Sequence, residues 1–499
     1  MRLLPWRRRA PSVPPTHGEA FEGFRADHGG ADPSAGERAV VSPAVPWQPL
    51  VVEKGQRWLV VAPHCDDEIL GAGGLLHRAA QLGCPVRVVL LTNGDGYNRT
   101  ALRGQSRRWR LTPAQYIEFA RVRQKETLAA LEVLGISRAQ VVFCGYPDRG
   151  LAAMWEDHWD YHKPYRSRFT RATRSPYDNS RTPGAVFCGE SVVRDLEEIV
   201  REFRPTHVVL PHPHDTHGDH WAGCCFTLYA LERLRLRGRL PVGGPVALQY
   251  LVHQGLWPQP RGLRPRLAMV PPKPYAHIPL AWASLDLPRE SVDHKLRALL
   301  CYRTQMVFMR RYLLSFVRRN ELFSLFSLLP VPWVDDGAIL VDGESYDWEG
   351  IGGVVLDPRS HMLTRRVGRS ADIRAAAACR DKHNLYLRLE LRHRAVNDYL
   401  YGISLHGVGR GGHGHETRQR LRIGLQVPDR VRIRGEGGWQ PSGEIVVRAQ
   451  RSQLEVGIPL SLLGWPERVF MSVETRFRGL VMDRVAWQVL DFVGEGREG

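Results

Sequence analysis

After the apolar residues Trp58, Leu59 and Val60, the run V-A-P-H-C-D-D-E-I-L sets His64, Asp66, Asp67 and Glu68 close together. Adjacent carboxylates repel one another, so their collection calls for a positive charge among them. His64 and Asp67 are spaced i, i+3 at a strand-to-helix transition and can turn toward one point. A second group, P-H-P-H-D-T-H-G-D-H at 211–220, supplies His212, His214, His217 and His220. Zinc takes imidazole nitrogen and carboxylate oxygen, and a catalytic zinc keeps three protein ligands and an open position. Two ligands from the first group and one histidine from the second meet that count, leaving Asp66 as a candidate base. Each group alone has a bland explanation. Carboxylates at a helix start suit the positive end of the helix dipole, and histidine-rich loops arise incidentally.

The elements that must position these residues are legible as apolar runs alternating with helical stretches. Strand-like runs stand at 57–62, 86–92, 140–144, 207–211 and 247–253, with helical stretches at 68–82, 113–134, 191–203 and 221–236. This alternation predicts an α/β fold, a mainly parallel sheet with helices on both faces. Ligands of such sheets bind beyond the carboxyl ends of the strands, where both groups fall. Past residue 340 the pattern changes to short alternating runs such as N-L-Y-L-R-L-E-L-R at 384–392, which predict a C-terminal antiparallel β-sandwich. The expected organisation is a disordered arm at 1–48, an enzyme domain at 49–330 and a β domain at 340–499.

Composition narrows the function. With 43% hydrophobic and 24% charged residues the chain reads as globular. The net charge of +17 is carried almost wholly by arginine, as a GC-rich bacterial genome would also produce. No helix-turn-helix, zinc-finger or aromatic RNA-binding motif accompanies it, which argues against a nucleic-acid partner. Anionic substrates or a membrane surface fit diffuse basicity better. The eight cysteines form no C-x-x-C pair, and neither a secretory core nor a bilayer-length apolar run is present. The expected location is cytoplasmic, with peripheral contact at the inner membrane face as the alternative.

P-H-C-D-D-E followed by I-L-G-A-G-G resembles the signature of the LmbE-like, or PIG-L, de-N-acetylases, and H-G-D-H at 217–220 resembles that family's H-P-D-H. T-N-G-D-G at 92–96, R-Q-K-E at 123–126 and G-Y-P-D at 145–148 extend the resemblance over roughly 55–305. It implies a Rossmann-like sheet and a zinc-dependent hydrolase that removes an N-acetyl group from an amino sugar. On this resemblance His64, Asp67 and His220 hold zinc, Asp66 is the base for the attacking water, and His217 stabilises the oxyanion. Asp66 or His217 then protonates the leaving amine, while Asp219 and Glu68 support from behind. Iron(II) suits the same ligands. Cys65 and Gly218 stand where the family often carries Pro, and a thiol beside the metal raises the expectation of oxidation sensitivity. The same motifs serve deacetylases and conjugate amidases of thiol-cofactor glycoside pathways. A third reading is a non-catalytic glycan-binding protein, which the intact Asp66 and His217 oppose.

The substrate is expected to be an N-acetylated sugar of a glycolipid, glycoconjugate or polysaccharide, an anionic sugar being favoured over a neutral one. The long segment 151–188 is read as a lid, its Trp155, Trp159, Tyr161, Tyr165 and Tyr177 offering flat faces and Arg166, Arg168, Arg171 and Arg174 meeting anionic groups. Asp95, Arg123 and Asp148 are further substrate candidates, and Arg99, Arg103, Arg107, Arg108 and Arg110 form a second basic loop. His253 receives no role. The stretch 309–323, which pairs arginines with Leu and Phe, is expected to dock against the enzyme core rather than lie on an anionic membrane. D-G-E-S-Y-D-W at 342–348 and D-K-H-N-L-Y-L-R-L at 381–389 resemble family 9 carbohydrate-binding modules. That resemblance implies glycan contact, the alternative being a domain that only packs against the enzyme, and Trp348 is expected to be a core anchor rather than a sugar platform.

Overall fold

Along Trp58–Ala62 every residue is buried. Trp58, Val60 and Ala62 enter one apolar core and Leu59 and Val61 another, as the two-residue period requires of a strand covered on both faces. The computed structural model describes residues 47–96, 111–276, 278–351, 354–356, 369–410, 416–435 and 438–492. The arm expected at 1–48 falls outside these up to residue 46, and so does the basic loop with Arg99, Arg103, Arg107, Arg108 and Arg110. Strands β1 (Gln48–Pro49), β2 (Trp58–Ala62), β3 (Val86–Thr92), β4 (Val141–Tyr146), β5 (His207–Pro211), β6 (Val246–Tyr250), β7 (Trp282–Asp286) and β8 (Asn320–Leu325) form one sheet in the order β1-β7-β8-β6-β5-β2-β3-β4. Strands β4, β3, β2, β5 and β6 run parallel, whereas β8 is antiparallel to β6 and β7. The chain winds from β2 through β3 to β4 and then returns to β5 on the other side of β2. The winding therefore reverses between β2 and β5, the place where an open sheet of this kind forms a crevice. Both histidine- and aspartate-bearing loops follow those two strands.

Helices α1 (Asp67–Gln81), α2 (Pro113–Val133), α3 (Leu151–Glu156), α4 (Gly189–Phe203), α5 (Gly218–Leu236), α6 (Arg289–Leu299) and α7 (Arg303–Leu313) cover the sheet. Leu75, Leu131 and Leu299 bury on one face, and Leu151, Leu196 and Phe226 on the other. The glycines opening α1 let it lie close to the sheet, since a Cβ on Gly71 would stand 2.4 Å from the Tyr250 ring. α1 is broken at Ala72, whose φ of −142° and ψ of 17° leave the helical region. The break is filled by a buried pair. Glu321 accepts the Gly74 and Leu75 amides at 2.6 and 2.8 Å, and Lys295 bonds Glu321 at 2.6 Å and the Leu70 carbonyl at 2.9 Å.

The sheet ends at Leu325, and the next strand, β9 (Leu329–Pro330), joins a different one. Strands β10 (Val354–Leu356), β11 (Ile373–Arg380), β12 (Asn384–Leu391), β18 (Val446–Gln450) and β19 (Gln453–Pro459) form an antiparallel sheet. Strands β13 (Leu400–Arg410), β14 (Glu416–Thr417), β15 (Arg420–Gln426), β16 (Arg430–Gly435), β17 (Gly438–Pro441), β20 (Arg468–Phe477) and β21 (Leu480–Asp491) form another, which β9 joins in parallel. Leu387, Leu389 and Val456 of the first share a core with Ile403, Leu405 and Met471 of the second. Trp348 is buried against Cys379 and Tyr386, the anchor role expected of it.

Alternation turns the other face of the second sheet toward the helices. Val408, Phe470, Trp487 and Val489 belong to the same core as Leu151, Trp155 and Phe226, and residues from Trp47 onward cluster as one compact unit. Arginines of the β region fix this face to carboxylates and carbonyls of the helices. Arg422 and Arg434 reach Asp157 at 2.6 and 2.7 Å, Arg484 reaches Glu156 at 2.7 Å, and Arg468 pairs with Glu232, while in the other direction Arg235 of α5 reaches Glu467 at 3.1 Å. Arg420 donates to the Trp155 carbonyl and lies 3.7 Å over the Trp159 ring.

Candidate metal and catalytic site

The loop after β2 turns sharply at Asp66, whose φ of 131° is a conformation that L-residues rarely adopt. Its amide is held by Glu68 Oε2 at 3.0 Å, and Tyr302 donates its hydroxyl to Glu68 Oε1. Arg123, fully buried, donates to the carbonyls of Cys65 and Gly94 and stands 3.5 Å from Asp66 Oδ2. Burial raises the Glu68 carboxyl to about 8. It also raises Asp66 to about 7, against the pull of Arg123.

Three donors converge beside Asp66. His64 Nδ1 and His220 Nε2 each lie 3.0 Å from Asp67 Oδ2. Behind each ring stands a buried carboxylate. His64 Nε2 is 3.1 Å from Asp219 and 3.3 Å from Asp148, and His220 Nδ1 is 3.1 Å from Asp215. A carboxylate on the far nitrogen fixes the tautomer and leaves the near nitrogen's lone pair for a cation. Both His220 nitrogens approach their carboxylates, Asp67 and Asp215, without hydrogen-bond geometry, so it is the His64 ring that is held by hydrogen bonds. Ligands at about 2.0–2.1 Å around a tetrahedral ion stand about 3.3 Å apart, which the two contacts to Asp67 approach, and overlapping groups here could hold a divalent metal: His64 with His217 and His220, Asp67 with His220 and His253, and His64 with Asp148 and Asp219. Although burial acts to lower both rings, the surrounding carboxylates raise His64 well above its ordinary value and His220 to about 10. The same carboxylates would favour a metal cation.

His217 caps α5, its Nδ1 accepting the Asp219 amide at 3.2 Å, so the ring proton sits on Nε2. Burial, then the neighbouring His64, lowers it to about 4. It is a neutral donor at pH 7. Asp219 also accepts the amides of Arg149 and Leu151 at 2.5 and 2.9 Å, tying the start of α3 to His64. Together His64, Asp66, Asp67, Arg123, Asp148 and His217 line a cleft of about 220 Å³, joined by Arg149, His253, Met309 and Tyr312.

The structure redistributes the remaining candidates. Asp148 lies at the cleft beside His64, and Asp95 stands behind it, accepting the Asp148 amide at 3.2 Å and the Tyr177 hydroxyl at 3.0 Å. Trp155, Trp159 and Tyr165 are not sugar platforms. Trp155 is fully buried and packs edge-on against Phe226, Tyr229 and Trp487; Trp159 stacks on Phe226; and Tyr165 is buried in the same core. Arg166 and Arg168 are exposed and do not line the cleft, and Arg166 bonds the Arg171 carbonyl within its own loop. His212 and His214 turn away from the donors toward Trp282 and Tyr275. Cys65 is buried and its thiol is pushed up to about 12 by burial, which removes the thiolate that oxidation needs. Asp215, Arg149, His253 and Tyr312 were missed from sequence. Asp215 sits inside the quoted histidine run and was the one with a readable signal.

Residues 59–230 match the family model described as PIG-L, GlcNAc-PI de-N-acetylase. No match to a curated protein was found. Among solved structures, an N,N'-diacetylchitobiose deacetylase from Pyrococcus horikoshii is 18% identical, over 54% of this chain and 84% of that one, at TM-score 0.33. A deacetylase of teicoplanin biosynthesis is 21% identical, over 54% of this chain and 97% of that one, at TM-score 0.35. The 4-carboxy-2-hydroxymuconate hydratase from Pseudomonas putida is 20% identical, over 52% and 82%, at TM-score 0.32. Likenesses at these scores carry no weight for the reaction, and one of the three is a hydratase.

Proposed function

We propose that the chain is a metal-dependent hydrolase that removes the acetyl group from an N-acetylated amino sugar. The observation that carries this reading is the convergence of His64 Nδ1, Asp67 Oδ2 and His220 Nε2 beside a strained, buried Asp66. Zinc, or iron(II), held by those three residues would acidify a water and polarise the amide carbonyl. Asp66, with its carboxyl near 7, accepts the proton of the attacking water and returns it to the leaving amine. His217, neutral with its proton on Nε2, donates a hydrogen bond to the carbonyl oxygen as negative charge develops there. Asp66 is therefore the proton carrier in both directions, and His217 serves as the oxyanion donor. Arg149, exposed at the cleft mouth, is placed to meet an anionic substituent of the sugar.

In this reading residues 49–330 are the enzyme and the two antiparallel sheets a β-sandwich. The sandwich holds α3 in place whether or not it also binds glycan. The test is metal content together with amine release from a panel of N-acetylglucosaminyl substrates, for wild type and Asp66→Asn. Near-stoichiometric metal in both, with turnover in wild type alone, supports the proposal. Failure to bind any divalent metal would overturn the ligand assignment.

A further inference from the structure

One rim of the cleft is built from α7, and the loop 254–274 packs against that helix outside the cleft lining; the two together carry an unusual composition. The segments 254–274 and 303–319 together hold nine Arg or Lys and no Asp or Glu. They are stitched to each other. Gly262 donates its amide to the Arg311 carbonyl at 3.1 Å, Arg261 lies 4.3 Å over the Tyr312 ring, and Trp257 packs on Phe316 with ring centres 5.6 Å apart. Leu313 to Val317 are buried, so this part docks on the core as expected. The outer half does not. Val307 is 69% exposed, Phe308 44% and Leu256 73%, and Leu263, Leu267 and Val270 are exposed as well.

Helical spacing makes this one surface. Val307 lies a turn before Arg311, which touches Gly262 next to Leu263, and Phe308 lies a turn before Tyr312. Met309, Tyr312 and Leu313 of the same helix line the cleft. Apolar side chains exposed among arginines, with no carboxylate in either segment and Glu126 engaged by Thr304 at the start of the helix, match the interface of an anionic bilayer. Leucine and phenylalanine enter the acyl boundary while arginines meet headgroup phosphates. None of the described helices is long and apolar enough to cross a membrane, and the contact this surface would make is a peripheral one.

We propose that α7 and the loop 254–274 form a docking surface for an anionic lipid bilayer, which brings the cleft mouth to the headgroup layer. The inference stands apart from the reaction assigned to the cleft, and its test needs no turnover. The full chain is sedimented with vesicles of phosphatidylcholine containing about 30% phosphatidylglycerol, and with phosphatidylcholine alone. Retention is expected on the anionic vesicles only. Partitioning should fall about tenfold in Val307→Ser/Phe308→Ser and about fivefold for each of Arg310→Gln and Arg311→Gln. These exposed positions lie outside the cleft lining, so folding is checked by unchanged metal content and circular dichroism. Equal retention of all variants overturns the proposal. So does a wild-type dimer that Phe308→Ser dissociates without any vesicle binding, which would make the patch a contact between copies.

Discussion

Replacing Glu321 by glutamine should unfold the active-site side of the molecule at a lower temperature, because it leaves a buried charge without its counter-charge. Glu321 closes the break in α1 from β8, and Lys295 reaches it from α6, with side chains only 2% and 1% exposed. Glutamine fills the same space and can still accept an amide, but Lys295 then keeps its buried charge with the neutral Leu70 carbonyl beside it. Breaking a buried pair from one side costs about 3–5 kcal/mol. At about 2 °C per kcal/mol for a unit of this size, the midpoint should fall by about 6–10 °C. Lys295→Met should behave similarly. The double variant Lys295→Met/Glu321→Gln removes both charges and should recover at least about 2 kcal/mol relative to the sum of the single changes. Calorimetry on metal-free protein reads the midpoint, and metal titration reads the site, because Asp67 lies in the first turn of the same broken helix. A shift under about 2 °C, or strict additivity, would refute the argument.

Asp215→Asn should weaken metal affinity about 10–100-fold, measured by competition with a chromogenic chelator, because it frees His220 Nδ1 from its carboxylate. His217→Ala should lower kcat by about 10²–10³ with little change in KM, as expected for a donor used in the transition state. Trp155→Ala should destabilise by about 3–5 kcal/mol in a thermal melt, whereas a sugar platform would leave stability unchanged. His406, buried on the face toward Trp155, accepts from Arg420 Nη2 at 3.0 Å, and burial followed by Arg420 and Arg422 holds it well below its ordinary value. Its unfolded form therefore binds a proton near pH 6.5 that the folded form refuses. The stability it contributes is present above that pH and is lost as pH falls below about 6.5 toward the folded value. Melts from pH 8 to pH 5 should show a decline that His406→Gln makes shallower.

How much of this was legible follows the range of the interactions. The parallel strands and their helices stood within a few residues of their observed ends, because five-residue apolar runs between polar turns carry their own signal, as in β2 and β5. His64 and Asp67 were readable as a pair from residue chemistry and spacing, which left the histidine of the second group open; the choice of His220 came from the family resemblance. What lay behind these donors was not legible. Asp148 read as a substrate residue because nothing local says that its carboxylate meets His64, and Lys295 and Glu321 carry no pattern linking them to a break at Ala72. The aromatic segment 151–188 read as a lid because tryptophans beside a strand end suit a sugar or a packed sheet equally. The sheet that decides the matter begins more than two hundred residues later. The arginine excess read as diffuse, yet many of these residues are spent on the face between helices and β strands.

That face carries an evolutionary consequence. The start of α3 is held by Asp219 beside the metal donors, and its end by Arg420, Arg422 and Arg484 from strands far along the chain. A lineage that lost those strands would expose Trp155, Phe226 and Tyr229 to water and strand Glu156 and Asp157 without counter-charges. Deletion of the β region would therefore be hard to survive in one step, even if its ancestors bound nothing at all. Fusion of this kind acts as a ratchet: once the helices had traded their soluble surface for a partner sheet, dispensability ended before any new activity needed to arise.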